Sequence, residues 1–414
     1  MSASPALPLW RNRVFLVVTT ADVLQELGIW IRNIAILFYV MEMTNHNPVA
    51  VSLITVFEYL PIFLFSFIGG TLADRWNPKR TVITGDILSA LSIGLILICM
   101  QSGIWQSVFV ATVVSAMVSQ FSRPSSTVLF KRHVPEAQVP AAIGIGQSLS
   151  SLFLIVGPII GTFVYQTFHV ETSLTVLMFI FLLAAAIQFS LPHSPRKPKD
   201  EPSRIIGEMK DGLRYVIQHA NLRNIALMYG LISLGVGLIQ PMEVFLITQR
   251  LGLEKEQLQW FTTVAGVGLF AGVGIAALMG NAVRRHGRAI MCFVILILSA
   301  ATLFEVWSTF AWLTGSLRFL VGFIMAFFQV VISTFFITLV TDEYIGRVNG
   351  IITPIFTAGI LIGSSVSGFL MQYTSLFAVF ACSALLIALS VLFCFQLELH
   401  PSESQNAQLE SAGV

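Results

Sequence analysis

The fold is decided by Gly69-Gly70-Thr71-Leu72-Ala73-Asp74-Arg75-Trp76-Asn77-Pro78-Lys79-Arg80. This stretch lies between two apolar runs, residues 49–73 and 81–100. Each run is long enough to cross a bilayer as a helix, since a transmembrane helix needs about 20 apolar residues. The stretch itself carries small residues, one acid, several cations and an Asn-Pro pair that stops a helix. It therefore predicts a short polar hairpin between two membrane-spanning helices.

The composition excludes a soluble globular domain. Of the 414 residues, 56% are hydrophobic and 11% are charged, and the mean hydropathy is +0.83. A soluble domain has about 25% charged residues. No cleavable signal peptide is predicted, because residues 1–10 hold no cation and the first apolar run is too long for a signal core. The four cysteines lie in or beside apolar runs without metal-ligand spacing, which indicates buried small side chains.

Hydropathy predicts twelve membrane-spanning helices. Their predicted ranges are 13–41, 49–73, 80–101, 105–130, 139–168, 172–191, 222–247, 258–282, 288–308, 312–340, 347–372 and 375–397. If the N-terminus is cytoplasmic, eighteen Lys and Arg residues of the loops and span ends lie inside and two, Arg250 and Lys255, lie outside. This positive-inside bias predicts that both termini face the cytoplasm.

The polar segment after the sixth span divides the helices into six and six. We therefore predict an N-terminal half over residues 1–191 and a C-terminal half over residues 222–400. The cytoplasmic linker, 192–221, contains a predicted amphipathic helix over residues 205–220 that lies along the membrane surface. The tail, 401–414, is predicted to be disordered and cytoplasmic. The fold class is thus an all-α polytopic membrane protein with twelve transmembrane helices.

The hairpin resembles the signature of the major facilitator superfamily, which reads roughly G-x-L-(A/V)-D-(R/K)-x-G-(R/K)-(R/K) between the second and third helices. The sequence departs from it at Asn77, where the family has Gly. Because Asn is the residue that best replaces Gly in a left-handed turn conformation, we expect this departure to be tolerated. A weaker copy of the hairpin in residues 280–288 indicates two parallel, pseudo-symmetric halves. The matching residues are Gly70, Leu72, Asp74, Arg75, Lys79 and Arg80.

This resemblance implies the major facilitator fold and a conformational latch at the hairpin. The latch residues are Gly70, Asp74, Arg75, Lys79 and Arg80. Asp86, about two turns into the third helix, is added to the latch because its carboxylate is expected to pair with the hairpin cations.

A second motif narrows the family. The fifth predicted helix contains Gly157-Pro158-Ile159-Ile160-Gly161, which resembles the antiporter motif G-P-x-x-G of drug exporters. Residues 134–146 and 212–223 resemble the macrolide-efflux branch of the drug:proton antiporters. The resemblance implies export of hydrophobic or amphiphilic small molecules in exchange for protons. Exporters of siderophores and of self-made peptide antibiotics look similar, so the cargo stays open.

Ionisable residues inside apolar spans are the candidate functional residues. Such groups cost on the order of 3 kcal/mol in hydrocarbon and usually face a water-filled cavity. Asp22 and Glu26 lie one turn apart and share a face of the first helix. Two carboxyl groups this close disfavour each other's ionisation, as a proton carrier requires, although a static hydrogen-bonded role is the alternative. Glu58, near mid-membrane, is predicted to be a proton site or an attractor for a cationic substrate.

Three more residues are assigned to the substrate cavity. Asn33 returns near the face of Asp22, while Arg32 points away from it. Glu243 follows Pro241 near the outer end of the seventh helix, where it lines a gate or cavity or else lies at the interface. Arg123 either takes part in proton transfer or pairs with an acid, Asp74 or Asp22, at the inner end of the fourth helix.

Two ionisable residues receive minor roles. Glu305 is predicted to be interfacial at the end of the ninth helix. Arg318, early in the tenth helix, is predicted to extend to the outer surface.

Other classes of function lack positive support. The sequence has no Gly-x4-Gly-Lys-Ser/Thr loop, so ATP is not the expected energy source. No nucleophile–base set or metal cluster lies within the spans, so we predict neither an enzyme nor a cofactor. The expected partners are a small-molecule substrate, protons and the lipid bilayer, without nucleic acid, and the protein is expected to act as a monomer in the plasma (inner) membrane. The alternatives are a nutrient:proton symporter, against which the Gly-Pro motif argues, and a membrane sensor or scaffold, which should carry an additional soluble domain.

Overall fold

The computed structural model describes residues 8–66, 76–192, 205–340 and 344–397. These residues form helices and short turns, and no strand occurs among them. We number the helices of four turns or more in chain order. They are α1 (Arg13–Met43), α2 (Pro48–Ser66), α3 (Pro78–Gln101), α4 (Val108–His133), α5 (139–168), α6 (170–188), α7 (Ile205–Gln218), α8 (Ala220–Arg250), α9 (Leu258–Leu278), α10 (Gly280–Trp307), α11 (Ala311–Leu339), α12 (Ile345–Tyr373) and α13 (Leu376–Phe395).

The described chain contains the twelve spans that hydropathy predicts. Ten helical runs are long and apolar enough to cross a membrane. One of them, Glu136–Gln188, is divided at His169, whose φ of 57° and ψ of −177° are not helical, and so supplies both α5 and α6. The remaining span is α4, which has 26 residues but is less apolar because it carries Arg123, several serines and a basic last turn.

Capping side chains set where several helices begin. Asn12 accepts hydrogen bonds from two N–H groups in the first turn of α1. Asn77 accepts one from the N–H of Arg80, and Pro78 occupies the first turn of α3. Asn77 has a φ of −74° and a ψ of 113°, which are those of an extended N-cap and not of a left-handed turn. The side-chain oxygen of Asn77 thus accepts a hydrogen bond from a backbone N–H group that would otherwise lack a partner at the start of α3.

Each half has its own apolar core. In the N-terminal half, α1 to α6, the core includes Phe38, Ile96 and Leu177. In the C-terminal half, α8 to α13, it includes Ile225, Met291 and Val331. The amphipathic helix α7 packs against α12 and the start of α8, where Val216 belongs to a smaller apolar cluster.

Successive spans run in opposite directions, so their ends gather on two faces. We call the face that carries α7 and the start of α1 the α7 face, and the opposite one the distal face. The halves meet along two helix pairs, α2 with α12 and α5 with α9.

The halves are closed together at the distal face. There, a Cβ added to Gly368 of α12 would lie 2.4 Å from the hydroxyl oxygen of Ser52 on α2, so glycine permits this approach. A core shared by both halves includes Met41, Phe245 and Phe380.

Toward the α7 face, a groove lies among α2, α7 and α12. Its volume is about 510 Å³, and its lining includes Phe63 of α2, Leu213 of α7 and Ile355 of α12. The two halves are thus in contact at the distal face, and a groove lies beside this helix pair toward the α7 face.

Candidate functional site

A polar cavity of about 180 Å³ lies within the N-terminal half, among membrane-spanning helices. Five helices, α1 and α3 to α6, contribute to its lining. Its ionisable groups are three carboxyl groups and one guanidinium, and hydroxyl groups of six serines surround them. The ionisable residues are Asp22, Glu26, Asp86 and Arg123. Acids therefore exceed cations in this cavity, as expected of a place where a proton can bind.

The structure brings Asp22 and Glu26 to this cavity from one face of α1. Glu26 Oε1 accepts hydrogen bonds from Arg123 Nη2 at 2.9 Å and from the Ser150 hydroxyl at 3.0 Å. Asp22 Oδ1 accepts one from the Ser126 hydroxyl at 3.3 Å. Asp22 lies nine residues into α1, or roughly 14 Å along the axis. The two carboxyl groups thus share a face but have different partners.

Arg123 is the cation of the cavity. Its side chain is 69% exposed, whereas that of Glu26 is 16% exposed. The ion pair with Glu26 therefore has one partner facing open space, and we expect it to break at modest cost. The predicted alternative partner Asp22 is near enough to interact electrostatically with Arg123 but accepts its hydrogen bond from Ser126 instead, while Asp74 lies outside the described residues.

Asp86 is held by amides, where the sequence predicts the hairpin cations. It is 2% exposed. Gln25 Nε2 donates to both of its oxygens, at 2.8 and 3.0 Å, and Gln188 Nε2 donates to Oδ2 at 2.9 Å. Among the hairpin cations that the structure describes, Lys79 instead donates to the carbonyl oxygens of Phe189 and Leu191.

Of the other predicted latch residues in the hairpin, the structure describes Arg80. Arg80 contributes its backbone N–H to the Asn77 cap. The predicted latch residues Gly70, Asp74 and Arg75 lie outside the described residues. The latch therefore stays a prediction.

Glu58 and Asn33 form a second, separate cluster around Arg32. Arg32 Nη2 lies 3.8 Å from Glu58 Oε1, and its Nε and Nη2 donate to Asn33 Oδ1 at 3.1 and 2.7 Å. The Arg32 side chain is buried, and its Nη1 has no hydrogen-bond partner within the described ranges. Next to this cluster, the Tyr59 hydroxyl interacts with the side chain of Gln240 on α8, in the other half.

Glu243 lies in the C-terminal half and is remote from the polar cavity. It pairs with Arg318 of α11, which also faces Glu305 of α10. The predictions of an interfacial Glu305 and a surface-reaching Arg318 are wrong, because both side chains are buried. The side chains of Glu305 and Arg318 face each other inside the helix bundle instead of reaching water.

The antiporter motif serves helix packing within the N-terminal half. A Cβ added to Gly157 would lie 2.4 Å from the ring of Trp30, so glycine lets α5 approach α1 closely. Gly161 lies against the backbone of the same tryptophan, and Pro158 is buried between them. On another face of α5, the Ile155 carbonyl accepts a hydrogen bond from the hydroxyl of Thr263 on α9 at 2.8 Å.

Sequence reasoning missed the pairing of Arg32 with Glu58 and the glutamines around Asp86. The pairing of Arg32 with Glu58 could have been predicted from the depth of the two residues in the membrane. Arg32 lies eleven residues before the end of α1, and Glu58 lies ten residues after the start of α2. Adjacent antiparallel helices place such residues at the same level. Gln25 and Gln188 gave no comparable signal, since single glutamines in spans are not distinctive.

A bundle of twelve spans in two halves, with acids buried in polar surroundings between helices, defines a membrane transport protein. The sequence matches the Major Facilitator Superfamily over residues 20–220 and 225–413. The chain belongs to this family of transporters, and the predicted major facilitator fold is confirmed.

Relatives at low identity include efflux proteins. The chain is 26% identical over 362 residues to "Multidrug efflux pump Tap" of Mycobacterium tuberculosis strain H37Rv, covering 84% of each chain. It is 22% identical over 220 residues to "Macrolide efflux protein A" of Streptococcus pyogenes, covering 52% of this chain and 51% of that one. The predicted resemblance to the macrolide-efflux branch is thereby confirmed.

Among solved structures, the nucleoside transporter NupG is similar. It superposes with a TM-score of 0.73 at 12% identity, over 93% of this chain and 98% of that one. At that identity the likeness concerns the fold alone.

Proposed function

We propose that the protein is a proton-coupled exporter of hydrophobic or amphiphilic small molecules that works by alternating access. The observation that carries this proposal is the polar cavity with an excess of carboxyl groups inside the N-terminal half. A buried acid whose ionised form is costly binds a proton readily, and a hydroxyl-lined cavity gives that proton a path. The names of the efflux relatives support the direction and the cargo class.

In this proposal the α7 face is cytoplasmic and the distal face is external, as the positive-inside distribution of cations favours. The structure then corresponds to a state that is closed to the outside. Cargo enters from the cytoplasm or the inner leaflet, and the two halves rock to release it outside. The protein resides in the plasma membrane and acts as a monomer.

The proton acts on Glu26 and Asp22. When Glu26 binds a proton, its attraction for Arg123 is lost, and the exposed guanidinium is released into the open space that it already faces. This change alters the charge between α1, α4 and α5, which are three of the five helices that line the cavity. Inward proton movement down the membrane potential supplies about 2.3 kcal/mol per charge per 100 mV. Glu58, tied to Arg32, is a further proton acceptor near the contact with α8.

The experiment is transport by the full-length protein in inside-out membrane vesicles. An amphiphilic fluorescent dye should accumulate when the vesicle lumen is acidified, and a proton uncoupler should abolish the accumulation. Vesicles without the protein are the control. Dye movement in the same direction as the protons would support symport and contradict export by exchange, and uncoupler-resistant accumulation would contradict proton coupling.

A further inference from the structure

A buried charge triad lies in the C-terminal half, outside the polar cavity described above. It consists of Glu243 on α8, Glu305 on α10 and Arg318 on α11. Arg318 Nη1 lies 2.6 Å from Glu243 Oε1, and Arg318 Nε lies 3.3 Å from Glu305 Oε1. Glu305 is 2% exposed, while the side chain of Glu243 is 28% exposed. The triad therefore has one buried carboxyl group and one that reaches toward open space.

The triad contains two acids and one base. The charged groups that act on Glu305 among the described residues are Arg318 and Glu243. The neighbouring helices α9 and α13 carry no Lys, Arg, Asp or Glu within their ranges, and the one such residue of α12, Arg347, lies near the end toward the α7 face. Arg250, on the same helix as Glu243, donates to the Trp307 carbonyl at 2.6 Å. No cation on these elements therefore compensates the second carboxyl group.

The hydrogen bonding of the triad is also incomplete. Glu305 Oε1 and Arg318 Nε face each other without hydrogen-bond alignment, and neither atom has another partner in the described part of the chain. With both acids ionised, the triad would carry a net negative charge inside the membrane. An uncompensated buried charge costs several kcal/mol, and one bound proton removes it.

We propose that the triad is a second proton-binding site: it holds one proton while the distal face is closed and must lose that proton before the face opens. This inference rests on the proposed proton-coupled transport and adds a site in the half of the protein that the polar cavity does not reach. Closure buries the triad and therefore takes up a proton, so acid favours closure. Raising the pH removes the proton, makes burial costly and favours opening.

The position of Glu243 links the triad to the distal face. The helix α8 leaves α-helical geometry next to it, with a 3-10 turn at Gln240–Met242 and a π turn at Leu246–Arg250. The 3-10 turn packs against α2 and α12, and Phe245 belongs to the core shared by both halves. The segment that closes the distal face is thus the one that the triad anchors to α11.

The test measures opening of the distal face in the full-length protein in lipid nanodiscs. Spin labels are attached through Gln106→Cys and Thr374→Cys, one in each half, in a background whose native cysteines are replaced. Pulsed electron resonance gives the distance between the labels from acid to alkaline pH. In the protein with the unaltered triad, the distance between the two labels should increase as the pH rises.

The decisive variant is Glu305→Gln, which leaves a one-to-one pair of Glu243 and Arg318. It should lose the pH dependence and stay closed at alkaline pH. Glu243→Gln leaves the pair of Glu305 and Arg318 and should do the same, which covers the case in which one variant fails to fold. The matched control is Glu171→Gln, an exposed acid on the distal face, which should keep the full dependence.

Infrared difference spectra of the same samples report the proton directly. The carboxylic acid band of the unaltered protein at neutral pH should weaken in Glu305→Gln. An unchanged band, or an unchanged pH dependence of the distance in both triad variants, would overturn the inference.

If Asp22→Asn abolishes proton-driven export while the triad variants keep normal distal opening, the inference fails and the proposed function stands. If the triad variants behave as expected but no export is found, the proposed function fails and the inference that the triad binds a proton stands.

Discussion

Lys255 of the C-terminal half forms an ion pair with Glu42 of the N-terminal half across the distal face. Its ammonium nitrogen also lies 5.2 Å from the centroid of the Phe38 ring and 5.6 Å from that of Tyr165. The Lys255 side chain is 14% exposed. Lys255, in the 3-10 turn that precedes α9, is thus enclosed by a carboxylate and two aromatic rings of the other half, which makes this contact a tie between the halves.

We expect Lys255→Met to weaken closure of the distal face. A partly exposed ion pair and a cation–π contact together contribute about 1 kcal/mol, so the ratio of closed to open molecules should fall roughly fivefold. The spin-label distance across the distal face measures this ratio. The exchanged pair Lys255→Glu with Glu42→Lys should recover part of the loss, and Arg250→Met, whose side chain binds within its own half, is the control. An unchanged ratio in Lys255→Met would show that the tie contributes nothing.

The close approach of α5 to α1 predicts a strong dependence on one glycine. Gly157→Ala would place a methyl group 2.4 Å from the Trp30 ring, so overpacking should cost about 1–3 kcal/mol and lower the midpoint of thermal unfolding in detergent. Gly144→Ala, on the same helix, adds a methyl group with nothing within 4 Å and should leave the midpoint unchanged or slightly higher. Equal midpoints for the two variants would contradict the packing described here.

The amide contacts of Asp86 predict a structural role for its oxygens. Asp86→Leu would leave the buried amides of Gln25 and Gln188 without an acceptor, at a cost of about 1–3 kcal/mol for each group. Its unfolding midpoint should therefore fall clearly. Asp86→Asn should cost less, because the glutamine amides can rotate to donate and accept. If the Leu and Asn variants melt at the same temperature, hydrogen bonding at this position is not what stabilises the fold.

The helices could be predicted because their signals are local. Runs of apolar residues give the spans, and Pro78 with Asn77 marks where α3 begins. The division at His169 agrees with a predicted break between the fifth and sixth spans, since that break is a local polar interruption. The role of Asn77 as the cap of α3 was not predicted, because Asn serves both as a helix cap and in left-handed turns, and the choice depends on the residues that follow.

The site was less predictable because its contacts join distant parts of the chain. Asp22 and Glu26 were found from their spacing on one helix, but their partners Ser126, Ser150 and Arg123 come from α4 and α5. Glu305 was misplaced for a similar reason. The position of Glu305 near the end of a span suggests the membrane interface. Its side chain is instead buried, because it faces Arg318 on the following helix. Charge pairing between helices overrides position along a helix.

The central claim is that carboxyl groups of the N-terminal cavity couple proton movement to export. It is tested most directly by counting protons moved per dye molecule in vesicles that contain Asp22→Asn, Glu26→Gln or the double variant. Ser150→Ala, which removes one hydrogen bond to Glu26 and no carboxyl group, is the control and should keep the coupling. The account predicts that the carboxyl variants insert normally but lose uphill, proton-driven export. Unchanged uphill export with an unchanged proton count in the double variant would contradict it.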